Sequence, residues 1–207
     1  MALSKIDVAN MLTGATPVAN GGTGLASGTS GQFLKFTGST TLASAAGGGI
    51  TEADIWRQNT ATTLSGGNAD LTSNWERADT DGYAKVGTGL SESSGIFSFA
   101  STGIYFLSMQ FTYRADNSDQ TYVGGSIRIT QDNSSFDTAC ESYNLIDNGM
   151  SGSSEYASVF MHCLFDVTNT STHKFKIRAE VASSNVILSG NTGHNATSVF
   201  ALRLGDT

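Results

Sequence analysis

Between residues 104 and 113 the chain alternates. Tyr105, Leu107, Met109, Phe111 and Tyr113 fall on one side, and Ser108, Gln110 and Thr112 on the other. Successive strand side chains point to opposite faces, so a period of two predicts a half-buried strand rather than a helix. Ile104 and Phe106 add apolar groups to the second side. A strand that is apolar on both faces at one end needs a cover on each. Residues 156–167 repeat the feature. Val159, Met161, Cys163, Phe165 and Val167 share one side, and Phe160 and Leu164 occupy the other. Runs that are apolar on both faces are read as strands covered twice.

Other segments have one wet face. Phe175, Ile177, Ala179 and Val181 alternate with Lys174, Lys176, Arg178 and Glu180. Val123, Ile127 and Ile129 share a side. Residues 136–146 read as a strand carrying Cys140, Tyr143 and Leu145, and residues 186–188 as a short one. Residues 197–204 close the chain, with Phe200, Leu202 and Leu204 expected inward. Upstream, residues 96–99 and 83–86 read as short strands, and residues 71–79 as a first strand around Trp75. Residues 59–70 read as a polar loop. The order Thr51-Glu52-Ala53-Asp54 suggests a cap for one helical turn. Turn-forming residues punctuate all of this at short intervals. Eight to ten closely spaced strands predict an all-β sandwich or jelly roll over residues 50–207.

The first 49 residues follow another pattern. Leu3, Ile6, Val8, Met11 and Leu12 could line a short helix within residues 1–14, with Ser4 as a cap and Gly14 as a stop. So short a helix is marginal alone, so residues 1–14 are expected to act as an anchor docked on another protein. Residues 15–49 collapse to Gly, Ser, Thr and Ala, ending in a glycine hinge. Phe33, Leu34 and Phe36 sit there between glycine turns, and the segment cannot bury them within itself. It reads as an extended neck that winds with further copies of itself.

Composition narrows the function. The 207 residues include 24 Gly and 1 Pro, only 14% are charged, and the net charge is -7. That balance excludes a nucleic-acid backbone as partner, since such binding is driven by Lys and Arg. No apolar run approaches the ~20 residues of a membrane span. The N-terminus lacks the apolar core of a signal peptide, so synthesis and folding in a reducing cytosol are expected. Cys140 and Cys163, in apolar runs, then read as two buried free thiols.

Candidate chemistry is sparse. Residues 18–24 are glycine-rich, but no Gly-Lys-Ser/Thr ending follows and no strand–turn–helix context surrounds them, which argues against a phosphate loop. His162 lies on an apolar strand and reads as an interior or interface residue. His194 reads as solvated, and no zinc spacing occurs. No Gly-x-Ser-x-Gly elbow supports a nucleophilic triad. The turns at 116–119 and 132–133 are rich in oxygen ligands but lack the spaced downstream Glu of a calcium loop. No catalytic residue, metal or cofactor is therefore assigned. The exposed loops are the places for receptor contact, represented by Asp116, Asn117, Asp147, Asn148, Asn191 and His194.

Two resemblances add to this reading. The blocks Val-Ala-Asn-Gly-Gly-Thr-Gly at 18–24 and Gly-Thr-Ser-Gly-Gln-Phe-Leu at 28–34 resemble short repeats in the shafts and necks of phage tail fibres. Gly-Ile-Phe-Ser-Phe-Ala-Ser-Thr-Gly-Ile-Tyr-Phe-Leu-Ser at 95–108 and Thr-Ser-Val-Phe-Ala-Leu-Arg-Leu at 197–204 resemble strands of the complement component one q and tumour-necrosis-factor-like head family. That second resemblance implies a ten-stranded jelly roll that trimerises. The middle strands match poorly, so no ligand site of the family carries over. The expectation is a homotrimeric bacteriophage appendage, whether tail fibre, head fibre or decoration protein. It would be made in the host cytoplasm and mounted on the virion surface. It would contact other virion proteins through Leu3, Ile6, Val8, Met11 and Leu12, itself through Ile104, Phe106, Phe160 and Leu164, and a host-surface glycan or protein through its loops. A free lectin-like module is the alternative. A glycan depolymerase is a third reading, which would need clustered carboxylates.

Overall fold

The computed structural model describes residues 25, 29–38, 41–45, 49–116, 118–147 and 154–207. The expected anchor residues Leu3, Ile6, Val8, Met11 and Leu12 lie outside the described residues, as do Asn117 and Asn148. The chain divides into two compact units, 1–49 and 50–207.

In the first unit, β1 (Phe33–Gly38) and β2 (Thr41–Ala45) form an antiparallel hairpin, with Phe36 opposite Leu42. The Ser44 hydroxyl donates to the Gln32 side chain across it. Where an extended neck was expected, this part of the chain folds back on itself. Phe33, Leu34 and Phe36 are exposed on the hairpin, since a two-stranded hairpin has no interior of its own.

Among its described residues the second unit holds eleven strands and no helix, against the ten strands expected. They are β3 (Ala53–Gln58), β4 (Thr62–Asp70), β5 (Trp75–Arg77), β6 (Ser91–Ser93), β7 (Ile96–Ser98), β8 (Gly103–Asp116), β9 (Gln120–Thr130), β10 (Asp137–Ile146), β11 (Ser154–Val167), β12 (Lys174–Leu188) and β13 (Ser198–Gly205). Hydrogen bonding links β10-β9-β12-β8-β13-β3-β5 in one path, with β11 on β8 and with β4 and β7 on β12.

That path folds into two layers because β12 changes partner. Its first half pairs with β9, from Lys174 opposite Thr130 to Val181 opposite Val123. After an irregularity between Val181 and Val186 its end pairs with β8, Val186 opposite Ala115. Gly66 and Gly67 of β4 lie opposite this bend with φ of 90° and 76°, and Asn185 within it has φ 71°. Backbone in that region is open to glycine and tolerated by asparagine. One layer is then β10-β9-β12 with β4 and β7 along its edge. The other is β11-β8-β13-β3-β5.

The core lies between the layers. Leu107, Met109, Phe111 and Tyr113 of β8 are fully buried, as are Val123 and Ile127 of β9 and Phe175, Ile177 and Ala179 of β12. Phe97 stacks on Phe175 at 4.8 Å and takes the edge of Trp75 at 5.1 Å. Gly125 of β9 is set by this packing. A Cβ there would come 2.8 Å from the Phe111 ring and 2.2 Å from the Arg178 carbonyl.

Several readings are corrected. Residues 53–58 form β3, not a helical turn. The Asp54 carboxylate is buried, and it accepts bonds from Trp56 Nε1 (3.0 Å), Arg77 Nε (3.1 Å) and the Leu90 N–H (2.9 Å). It thus ties β3 to two later segments instead of capping its own. Residues 62–70 are strand β4, not a loop, because β12 supplies its hydrogen bonds. Residues 83–86 contribute only a bridge between Ala53 and Val86. On β13, Val199 and Ala201 are buried while Leu204 is exposed, the reverse of the expected face. Cys140 and Cys163 are free but half-buried, and their side chains hydrogen-bond to each other. That bond, then burial, pushes the Cys163 thiol up.

Gly125→Val should cost about 3 kcal/mol through overpacking against Phe111 and Arg178. The check is the urea midpoint, and an unchanged midpoint would show that the layers are not fixed at this spacing.

Candidate functional site

The layer built on β8 has an inner face in the core and an outer face on which Phe160 and Leu164 are exposed and Ile104, Phe106, Phe200 and Leu202 half-buried. Register places the outward side chains in rows across the strands. Ala53, Leu202, Phe106 and Leu164 are successive partners, crossing β3, β13, β8 and β11. One step along, Ile55, Phe200, Ser108 and His162 do the same. Phe160 follows opposite Gln110, and Ile104 lies opposite Asp166. Phe160 and Leu164 are 61% and 63% exposed. The four residues singled out from alternation, Ile104, Phe106, Phe160 and Leu164, therefore share one outward face. Phe200, Leu202 and Ile55 join them and were not anticipated. His162 is exposed beside Phe106, ring centroids 5.6 Å apart, so it is not an interior residue.

The outer face of the opposite layer is polar. Asp70 of β4 meets Lys176 Nζ at 2.7 Å, Arg178 Nε at 2.8 Å and Arg128 Nη1 at 3.9 Å. Burial raises the Asp70 carboxyl, but the hydrogen bonds from Arg178 and Lys176, with their charges, outweigh it and hold it below its ordinary value. Two outer faces of one sandwich thus differ: one is apolar in rows, and the other is a solvated charge network. A solvated face is complete in water, whereas an apolar one of this kind marks an interaction surface.

The loop candidates separate. Asn191 and His194 line one open cleft of about 340 Å³ with Arg114 and Tyr156. Asp116, at the end of β8, is exposed and paired with Arg114 at 3.2 Å, next to that cleft. Asp147 is exposed after β10 and does not line it. The Asn191 side-chain oxygen accepts the Gly193 N–H at 2.7 Å, and the Asn191 N–H donates to the Gln58 carbonyl at 2.8 Å, so the loop is held in shape.

Among the described residues no cluster of three His, Cys, Asp or Glu side chains could hold an ion. The Asp132 carboxylate is taken up by its own turn, accepting from the Ser134 and Ser135 N–H groups at 2.8 and 2.9 Å and from the Ser135 hydroxyl. Those backbone donors hold it far below the usual carboxylate range. His173 is buried between Thr168 and Thr172 hydroxyls and stacks on Phe165 at 5.7 Å. Among the described residues no helix is long and apolar enough to cross a membrane.

The two-layer arrangement is a jelly roll of the tumour-necrosis-factor-like type. The chain is similar to murine APRIL, with 14% identity, a TM-score of 0.53, and coverage of 74% of this chain and 98% of that one. It is similar also to the Eiger TNF structure from S. frugiperda, with 15% identity, a TM-score of 0.55, and coverage of 76% and 95%. At such identities the likeness is one of fold. No protein-family model matches the chain, and no curated protein does.

Asp70→Asn should cost about 1 kcal/mol at neutral pH, the scale of a partly solvated ion-pair network. The folded carboxyl is depressed, so its contribution is present above the unfolded value near ~3.9 and is lost as pH falls through the folded one. Urea titrations of the two proteins should therefore differ at pH 7 and converge in strong acid. A gap that widened on acidification would contradict the assignment.

Proposed function

We propose that the chain is a homotrimeric appendage of a bacteriophage particle. Residues 1–14 mount it, the glycine-rich neck associates with its copies, and the jelly-roll head is displayed outward to attach to a host surface. It is a structural and binding protein rather than an enzyme. The observation that carries the self-association is the outer apolar face of the β8 layer. Burying one large apolar side chain is worth roughly 1.5–3 kcal/mol. Phe106, Phe160 and Leu164 together approach the whole stability of a small domain, about 5–15 kcal/mol. A second copy presents the same groups, and closure about an axis leaves no apolar surface open for further growth.

The hairpin of residues 33–45 supports the same reading. It exposes Phe33, Leu34 and Phe36, which copies of the neck would bury against each other. The fibre-like blocks at 18–24 and 28–34 support the phage assignment, and the similarity to APRIL and Eiger TNF supports a binding head over an enzyme. The polar layer then faces the surroundings, while the cleft at Asn191 and His194, lined also by Thr112, Arg114 and Tyr156, lies on the β8 side beyond Phe160. The mount at residues 1–14 rests on the apolar spacing of Leu3, Ile6, Val8, Met11 and Leu12.

Phe160→Asp puts a charge from each copy on the same face, where burial would leave it uncompensated. The variant should lose the assembled mass in light scattering, as a monomer or as aggregate; retention of the wild-type assembly would remove Phe160 from the interface. Imaging of particles tests the virion role. Density for this chain is expected on the particle and should vanish when residues 1–14 are deleted. Particles without such density would overturn the reading, and full occupancy by the truncated chain would overturn the anchor.

A further inference from the structure

The outer face of the β9–β10–β12 layer holds an aromatic corner. Register brings Tyr143 of β10 opposite Gly124 of β9, and Gly124 opposite Glu180 of β12. Tyr122, two residues before Gly124, points to the same side. These are residues that sequence spacing keeps apart, and none lies in a loop. Tyr122 and Tyr143 stand at 90° with ring centroids 5.9 Å apart, and both are exposed. With Glu180 they line an open cleft of about 410 Å³.

The corner is held in place. The Tyr143 hydroxyl donates to Glu180 Oε2 at 2.8 Å, and the Ser126 hydroxyl donates to Glu180 Oε1 at 3.3 Å. A second carboxylate, Glu141, lies 3.4 Å from the Tyr143 hydroxyl. Gly124 makes room for the ring. A Cβ at that position would come 2.5 Å from Tyr143 Cδ1. The Tyr143 ring and the Glu180 carboxylate are thus held in place, and the exposed Tyr122 ring stands at a right angle beside them.

We propose that this corner is a saccharide-binding site for a neutral pyranose. An aromatic ring offers a flat apolar surface to the C–H face of a sugar, while a fixed carboxylate accepts from adjacent hydroxyls; a few placed polar groups beside apolar walls are what orient a small ligand. Both Glu180 oxygens keep free lone pairs after their present bonds. Glu141 and Glu180 repel an acidic sugar. Two rings at a right angle, open above, do not enclose a quaternary ammonium as an aromatic cage does. The site rests on the proposed attachment role only for its biological use; binding itself is a property of the isolated protein.

The test is saturation-transfer NMR on the purified full chain. The probes are the methyl glycosides of glucose, galactose, N-acetylglucosamine and N-acetylgalactosamine, with methyl glucuronide and tetramethylammonium as acidic and cationic arms. At least one neutral glycoside is expected to bind and methyl glucuronide to bind more weakly. Tyr122→Ala and Glu180→Gln should each weaken binding by about tenfold. Tyr143→Phe should retain part of it, since the ring stays and one hydroxyl is lost. Native assembly mass and circular dichroism are to be unchanged in all three variants. The proposal is overturned if no neutral glycoside binds, if the variants bind as the wild type does, or if methyl glucuronide or tetramethylammonium is preferred. Such failure leaves the particle-imaging result untouched, and absence from particles would leave a measured saccharide site standing.

Discussion

Strand β8 must be covered on both sides, and the rest of the head follows from that demand. Its odd-numbered residues from Tyr105 to Tyr113 are fully or almost fully buried under the opposite layer. Its other side carries Ile104 and Phe106, which the opposite layer cannot reach. One chain answers half of the demand, since a two-layer sandwich has only one interior. Pairing with β11 and β13 does not relieve the other half. It enlarges it, because their own outward groups, Leu164, Phe160, Phe200 and Leu202, line up beside Phe106.

The two layers therefore have different fates. On the β12 side, outward residues are Lys176, Arg178 and Glu180, each with an oppositely charged or hydroxyl partner nearby. Water completes such a face, and small ligands can compete for it. On the β8 side the outward groups are apolar, and an apolar cover is favoured over water. The two outer faces thus differ in the cover that suits them, water on one and an apolar surface on the other.

How much of this was legible beforehand depended on whether alternation was strong. β8, β11 and the first half of β12 were read correctly because their inward positions alternate without a break; residues 186–188, read as a separate short strand, are the end of β12 beyond its irregularity. β4 was missed because Leu64 is its single buried side chain, so nothing in the segment advertised a strand; its hydrogen bonds come from β12, far along the chain. β3 was misread because Thr51 and Asp54 have the spacing of a helix cap, while the Asp54 carboxylate is used by Arg77, Trp56 and Leu90. β13 was assigned the wrong face because both of its faces are apolar. Phe200 looked like core and lies outside, while small Ala201 lies inside. The Tyr122, Tyr143 and Glu180 corner had no signal in sequence, since three strands supply one residue each. The proximity of Cys140 and Cys163 was hidden for the same reason.

The central claim is that the apolar outer face of β3, β13, β8 and β11 is covered by copies of the same chain. Sedimentation equilibrium of the intact wild-type protein at micromolar concentration measures this most directly. The account predicts a single species of three times the 21.6 kDa chain mass, persisting on dilution. A folded, soluble species at the mass of one chain, with Phe160 and Leu164 open to water, would contradict it.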